Sequence, residues 1–185
     1  GATFVEKREH EAPLNVYGYS KFLFDQHVRR VLAERTAPIV SFRYFNVYGP
    51  REDHKGRMAS VAFHFFNQYR ANGQVRLFQG SDGYAAGEQK RDFIYVDDAV
   101  AVVRFMLDTP SVTGIFNVGT GRARSFKDLI GAMYTALGRA PKIYYIDMPE
   151  AIRGSYQYFT QGEVANLQRA GYNAACELDL ERIVA

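Results

Sequence analysis

The chain has 185 residues, a formal net charge of +3, 47% hydrophobic residues, 13 tyrosines, 14 phenylalanines and no tryptophan, enough for one sizeable globular domain or two small ones. No apolar run approaches a membrane span, no stretch reads as a signal peptide, and the single cysteine, Cys176, excludes an internal disulfide framework and fits a reducing compartment. No Cys/His cluster has metal-ligand spacing, and the mild, scattered basic charge does not imply nucleic acid, although small anionic ligands stay open.

Residues 1–13 are charged and aperiodic and read as a loop. A loop feeding a central helix leads us to expect further chain before Gly1. Asn15 is a good N-cap for a helix running to about Leu32. Within it Tyr17, Lys21, Phe24, Val28 and Val31 step by four, three, four and three, so they share one face. Four of the five belong on a buried stripe. Lys21 does not, because a buried ammonium is costly without a partner. Tyr17 and Lys21 are i,i+4 neighbours. A phenol titrates near pH ~10 in water, and an adjacent ammonium favours its phenolate. Such a pair can exchange a proton with a substrate hydroxyl, and the lysine can hold a ribose hydroxyl of a nicotinamide cofactor. The alternative is that Lys21 snorkels and Tyr17 simply packs.

Ile39–Tyr48 reads as one strand, closed by Gly49-Pro50. A helix followed by an apolar strand predicts an α/β parallel sheet, whose ligands lie beyond the carboxyl ends of the strands. Asn46 and the loop Arg51–Arg57 belong there. That loop is either a ligand wall or a solvated charged turn. Met58–Asn72 reads as a helix stopped by Gly73. His64 lies within it among Val61, Phe65 and Phe66, where a packed histidine is the commoner outcome. Val75–Phe78 is a short strand, and Gln79–Lys90 a polar, glycine-rich loop. Arg91–Val96 is a strand, with Asp97 or Asp98 capping a helix to about Leu107. Gly114–Val118 is a strand leading into Gly119-Thr120-Gly121, a weak phosphate signal that lacks the third glycine of the dinucleotide fingerprint. Ser125 and Asp128 resemble a capping box for a helix ending near Leu137. Lys142–Ile146 is a strand, 153–158 a polar aromatic loop, and Glu163–Ala170 a short helix. Leu178–Val184 looks like the start of another helix.

Taken together, Tyr17-x-x-x-Lys21, Arg43–Pro50, Arg91–Asp98 and Phe116–Gly121 resemble, in order, the extended short-chain dehydrogenase/reductase superfamily. The resemblance implies an α/β fold: the carboxyl-terminal part of a Rossmann-type parallel sheet plus a smaller mixed α/β substrate domain. Residues 1–57 and 92–121 would be the remnant of the NADP-binding domain, and 58–91 and 122–185 the substrate-binding domain. Within the superfamily, Pro13–Asp25, His54–His64, Leu77–Ser81 and Gly154–Gln161 resemble the ADP-heptose 6-epimerase family. The His54-Lys55-Gly56 loop separates that family from UDP-sugar 4-epimerases and 4,6-dehydratases.

This resemblance implies that Tyr17 and Lys55 are the two acid/base groups, on opposite sides of the sugar carbon. Lys21, Val47 and Lys55 would contact the cofactor, NADP. Asn46, Arg57, His64, Phe78, Gln79, Gly80, Ser81, Arg91 and Tyr156 would hold an ADP-heptose substrate. The implied reaction is epimerisation at C6″ by transient oxidation and re-reduction on the opposite face. A homo-oligomer, a pentamer by the same resemblance, is implied, in the cytoplasm and feeding lipopolysaccharide precursor synthesis, with no nucleic acid or membrane partner. The Asp82–Lys90 loop is longer than is usual in the family. The 185 residues contain no complete glycine-rich cofactor loop, so this chain alone is expected not to bind NADP or turn over. The alternatives are another nucleotide-sugar epimerase or 4,6-dehydratase of the superfamily, or a catalytically silent nucleotide-sugar-binding module.

Overall fold

A computed structural model describes residues 3–13, 15–154, 156–173 and 180. The expected helix at 178–184 falls outside them except for Leu180, and Cys176 is also outside. Helix α1 (Val16–Val31) begins where expected: the Asn15 side chain accepts the Gly18 N–H at 2.8 Å. Its inward face keeps Val28, and half-buries Val31, of the expected stripe but is turned away from Tyr17 and Phe24. Asp25 and Val28 are its buried residues, whereas Tyr17 is 69% and Phe24 58% exposed. The cause is polar. Asp25 accepts hydrogen bonds from Ser41 Oγ (3.2 Å) and Arg43 Nε (2.7 Å), so charge fastens this helix to the neighbouring strand.

The expected strand at 39–48 is two strands, β1 (Val40–Tyr44) and β2 (Asn46–Tyr48). They are divided at Phe45, whose N–H donates to the Val118 carbonyl at 3.0 Å. There the chain changes partners. β1 pairs in parallel with β5 (Gly114–Val118), while β2 pairs in parallel with β4 (Lys90–Tyr95). The register sets Asn46 opposite Phe93. A strand not expected from the sequence, β6 (Ala123–Ser125), runs antiparallel to β4. A separate parallel pair joins β3 (Val75–Phe78) to β7 (Ile143–Ile146).

Helix α2 (Val61–Asn72) starts three residues later than expected. Ser60 caps it by accepting the Phe63 N–H, and Gly73 ends it with φ +68°. Met58 lies instead in a 3-10 turn, Asp53–Met58. Helix α3 (Val96–Asp108) has Tyr95 as its N-cap residue, so Asp97 and Asp98 sit inside the first turn rather than before it. They still favour that end through the helix dipole. Helix α4 (Phe126–Ala136) carries the complete capping box of Ser125 and Asp128. Two short helices follow, α5 (Glu150–Arg153) and α6 (Ala165–Arg169), so Arg153 ends a helical turn rather than opening a loop.

Two apolar clusters hold these elements. Phe65, Leu77, Phe93, Leu129, Ile130 and Met133 centre one, between α2, α4, β3 and β4. Ile94, Val102, Met106, Phe116, Val118 and Leu167 centre the other, beneath α3 and α6. The alternation along β4 sends Phe93 to the first cluster and Ile94 to the second, so this one strand joins both. Among the described residues no helix is long and apolar enough to cross a membrane.

Candidate active site

The carboxyl ends of β1 and β5, the start of α1 and the segment before it enclose a cleft of about 860 Å³. Tyr17 and Lys21 line it, one turn apart, with the Lys21 ammonium 5.0 Å from the centroid of the Tyr17 ring. The same cleft is lined by Arg91, at the start of β4, and by Tyr156. Side chains from three distant parts of the sequence thus share one concavity.

Arg91 is held in a particular way. Its guanidinium carbon lies 5.1 Å from the centroid of Tyr156 and 5.4 Å from that of Phe126, and one Nη donates to the Lys90 carbonyl at 2.8 Å. Burial pushes this guanidinium down from its ordinary range, with Tyr156 opposing. Burial likewise raises the Tyr156 phenol, against the pull of Arg91. The planar cation between two rings is available to the oxygens of an anionic group. Phe78 packs edge-on against Tyr156, with centroids 5.8 Å apart. The Ser81 hydroxyl meets Tyr158 Oη at 3.3 Å. Phe78 and Ser81 therefore approach the same aromatic loop from β3 without lining the cleft. Between them, the Gln79 N–H donates to the Ile146 carbonyl, and a Cβ on Gly80 would stand 2.6 Å from the Tyr84 carbonyl.

Asn46 donates through Nδ2 to the Asp92 carbonyl at 3.2 Å, while Val47 is half-buried within β2. Neither lines the cleft. Lys55 and Arg57 lie on the exposed 3-10 turn, and His64 is half-buried on α2, edge-on to Phe63. These three do not line the cleft either.

Three groups that matter here are missed by sequence reasoning. The first is an ion network around α1. Glu11, on the segment before the helix, accepts from Arg29 Nη1 at 2.7 Å and also pairs with Arg43, which in turn pairs with Asp25. The hydrogen bonds from Arg29, helped by Arg43 and opposed by burial, lower the Glu11 carboxyl to about 2. The second is Asp92, completely buried. Its carboxylate accepts the Thr120 N–H (2.8 Å), the Thr120 hydroxyl (2.7 Å), the Gly121 N–H (3.0 Å) and the Gly162 N–H (3.0 Å). The donors that made Gly119-Thr120-Gly121 a phosphate signal are therefore occupied by a carboxylate of the chain itself. The third is Glu52, buried beside the 3-10 turn. Only the acidic residue types hint at these groups in the sequence, because each partner lies on another element or across a turn.

The family model described as "NAD dependent epimerase/dehydratase family" matches residues 3–119. The chain is 58% identical, over 189 aligned residues, to the ADP-L-glycero-D-manno-heptose-6-epimerase of Thiobacillus denitrificans; the match covers 95% of this chain and 57% of that protein. The crystal structure of the Helicobacter pylori ADP-L-glycero-D-manno-heptose-6-epimerase superposes with a TM-score of 0.77 at 32% identity, covering 98% of this chain and 52% of that one. The UDP-N-acetylglucosamine 4-epimerase of Methanobrevibacter ruminantium superposes at 0.79 with 22% identity, over 97% of this chain and 54% of that one, a likeness of fold alone. The chain thus spans little more than half the length of the relatives it matches.

Proposed function

Because this chain belongs to the NAD dependent epimerase/dehydratase family, we propose that it is the carboxyl-terminal part of an ADP-heptose 6-epimerase. The observation that carries the reading is the cleft. An exposed tyrosine and lysine, one turn apart on α1, face the same space as the ring-flanked Arg91. The 58% identity to the Thiobacillus denitrificans enzyme supports the choice of substrate.

Tyr17 and Lys21 fit a nicotinamide cofactor: an exposed phenol and an exposed ammonium on one rim can reach a ribose and the reacting carbon together. The cofactor of this reading is NADP, with Lys21, Val47 and Lys55 as its contacts within the chain. When bound it supplies hydride abstraction and return at C6″. Tyr17 Oη takes the hydroxyl proton of one epimer as the alcohol becomes a ketone. The ketone turns over, and Lys55 Nζ gives a proton to the oxygen of the other epimer. Two bases are needed because the two epimers present their hydroxyls to opposite sides. Arg91 holds the diphosphate, since a planar guanidinium can make paired bonds to it. Tyr156 and Phe78 wall the nucleotide. Asn46, Arg57, His64 and the Gln79–Ser81 turn complete the substrate's surroundings as this reading has them. The assembly is a cytoplasmic homo-oligomer, pentameric by the same resemblance.

Residues 1–185 hold no Gly-x-Gly-x-x-Gly, the loop that cradles a dinucleotide's phosphates. Alone they are expected to be inactive. The test therefore uses the whole reading frame that contains this chain. It is incubated with ADP-D-glycero-β-D-manno-heptose without added cofactor, and the C6″ epimer ratio is followed by NMR, with Lys55→Met beside it. Epimerisation by the parent and its loss in the variant are expected. No epimerisation, with cofactor verified as bound, would move the assignment to another nucleotide sugar.

A further inference from the structure

Lys55 stands apart from the cleft, and its surroundings say how it is held. The turn that carries it, Asp53–Met58, is interrupted at Gly56, which has φ +53° and ψ −124°. Such a turn needs a fastening. Glu52 supplies it from a buried position, with only 4% of its side chain exposed. One carboxylate oxygen accepts the Ser60 hydroxyl at 2.6 Å. The other accepts the Ser60 N–H at 2.7 Å and meets the Lys55 ammonium at 3.4 Å. Ser60 is in turn the N-cap of α2. The carboxylate therefore closes the turn from residue 52 to residue 60 and is anchored to a helix start.

The distances give the pair a direction. Glu52 is fixed by two short bonds from Ser60 that do not involve Lys55. Lys55 is 44% exposed in its side chain and reaches the carboxylate only at the longer distance. Glu52 is the fixed post, and Lys55 is the arm that docks on it. Among the described residues, Arg51, His54 and Arg57 of the same loop make no ion pair, so the post selects Lys55. Burial pushes the Glu52 carboxyl up, but the Ser60 hydroxyl and N–H and the Lys55 ammonium together hold it below the usual carboxylate range. It is thus an anion at neutral pH.

We propose that Glu52 is the positioning residue of Lys55, a buried carboxylate fixed by the Ser60 cap on which the lysine docks while it carries the proton. This rests on the reading of Lys55 as an acid/base group. A free amine that takes a proton becomes an ammonium, and Glu52 is placed to receive that charge. Giving the proton back undocks the arm. Glu52 takes no proton and touches no substrate in this scheme.

The docking is tested on the whole reading frame that contains this chain. Its lysines are reductively methylated with 13C-formaldehyde, and the Lys55 dimethyl signal is assigned by its loss in Lys55→Arg. Glu52→Gln is expected to move that signal and leave those of the other lysines in place. Unmoved Lys55 would overturn the docking. Should Glu52→Gln fail to fold, the wild-type signal is followed on acidification instead. It is expected to shift as the carboxylate protonates below the usual carboxylate range, and no shift would overturn the docking equally.

The functional arm uses the whole reading frame. Glu52→Gln is expected to lower kcat by about tenfold or more while KM stays within about twofold. Glu52→Asp, which keeps the charge but is too short to span Ser60 and Lys55 together, should recover only part of that loss. Full kcat in Glu52→Gln, with Lys55→Met inactive, would overturn the positioning role. Full activity in Lys55→Met would remove the acid/base reading of Lys55 instead, and the NMR arm would still decide whether the docking exists.

Discussion

Arg43 on β1 and Asp25 on α1 make the bond that ties the Tyr17 helix to the sheet, Nε to Oδ2 at 2.7 Å. Glu11 extends the tie, pairing with Arg43 and with Arg29 near the far end of the same helix. A helix whose fully buried residues are Asp25 and Val28 is held at its angle by charge. The orientation of Tyr17 and Lys21 toward the cleft depends on it. Folding stability should therefore respond to acid. The Glu11 carboxyl lies at about 2 folded against an ordinary 4.5. Its contribution is fully present above pH ~4.5 and is lost as pH falls toward 2. The size is on the order of 3 kcal/mol at most. Urea unfolding of wild type and Glu11→Gln across this range is the measurement. The variant should be less stable at pH 7 and should lose less stability between pH 4.5 and pH 2.

Tyr17→Phe separates chemistry from structure. The ring that faces the Lys21 ammonium remains and only an exposed hydroxyl is lost. Stability should stay within about 0.5 kcal/mol of wild type. In the whole reading frame, epimerisation should fall by about 10²–10⁴-fold, the usual loss for an acid/base group. Equal unfolding midpoints with unchanged turnover would remove Tyr17 from the mechanism.

Arg91→Lys tests the diphosphate site. A lysine keeps the charge but loses the planar fork that lies between Tyr156 and Phe126. KM for the nucleotide sugar should rise by roughly tenfold or more, the loss of about one charge-assisted hydrogen bond, with kcat less affected. Kinetics against substrate concentration would show the split. An unchanged KM would place the diphosphate elsewhere.

Asp92 and Gly119 test the junction beneath the cleft. A Cβ at residue 119 would stand 2.8 Å from Asp92 Oδ2, and that carboxylate cannot retreat because four donors hold it. Gly119→Ala should cost about 1–3 kcal/mol. Asp92→Asn turns an NH₂ group toward N–H donors and should cost about 2 kcal/mol or more. Denaturant unfolding checks both. The double variant should cost less than the two losses added, because both act on one cluster.

Ser125→Ala should cost about 1 kcal/mol, since the Ser125 hydroxyl accepts the Asp128 N–H at 3.0 Å. Exposed Ser20→Ala, whose hydroxyl donates within α1 to the Tyr17 carbonyl, serves as the comparison and should cost less than half as much.

By itself the sequence determined what is local. Asn15, Ser125 and Gly73 mark helix ends through their own short side chains or lack of one, and those ends lie where the residues say. The apolar runs at 75–78 and 114–118 are strands for the same reason. The α/β class followed from helix and strand succeeding one another, and the family was legible because its motifs are short and contiguous. What needed the third dimension was every partnership. The period of α1 marked Tyr17, Phe24, Val28 and Val31 as its inward side, and Val28 is buried there, yet Asp25 also turned inward because Ser41 and Arg43 wait on β1, and hydrophobic spacing carries no information about them. The run 39–48 could not reveal that Phe45 passes the chain from β5 to β4, because a change of neighbour leaves no mark in the strand that changes. Gly119-Thr120-Gly121 looked ready for a phosphate until Asp92, 28 residues before Thr120, was found in its place. Glu52 lies only three residues before Lys55, but its meaning came from the fold that buried it against Ser60, since a carboxylate becomes a fixed post only once water has been removed from around it.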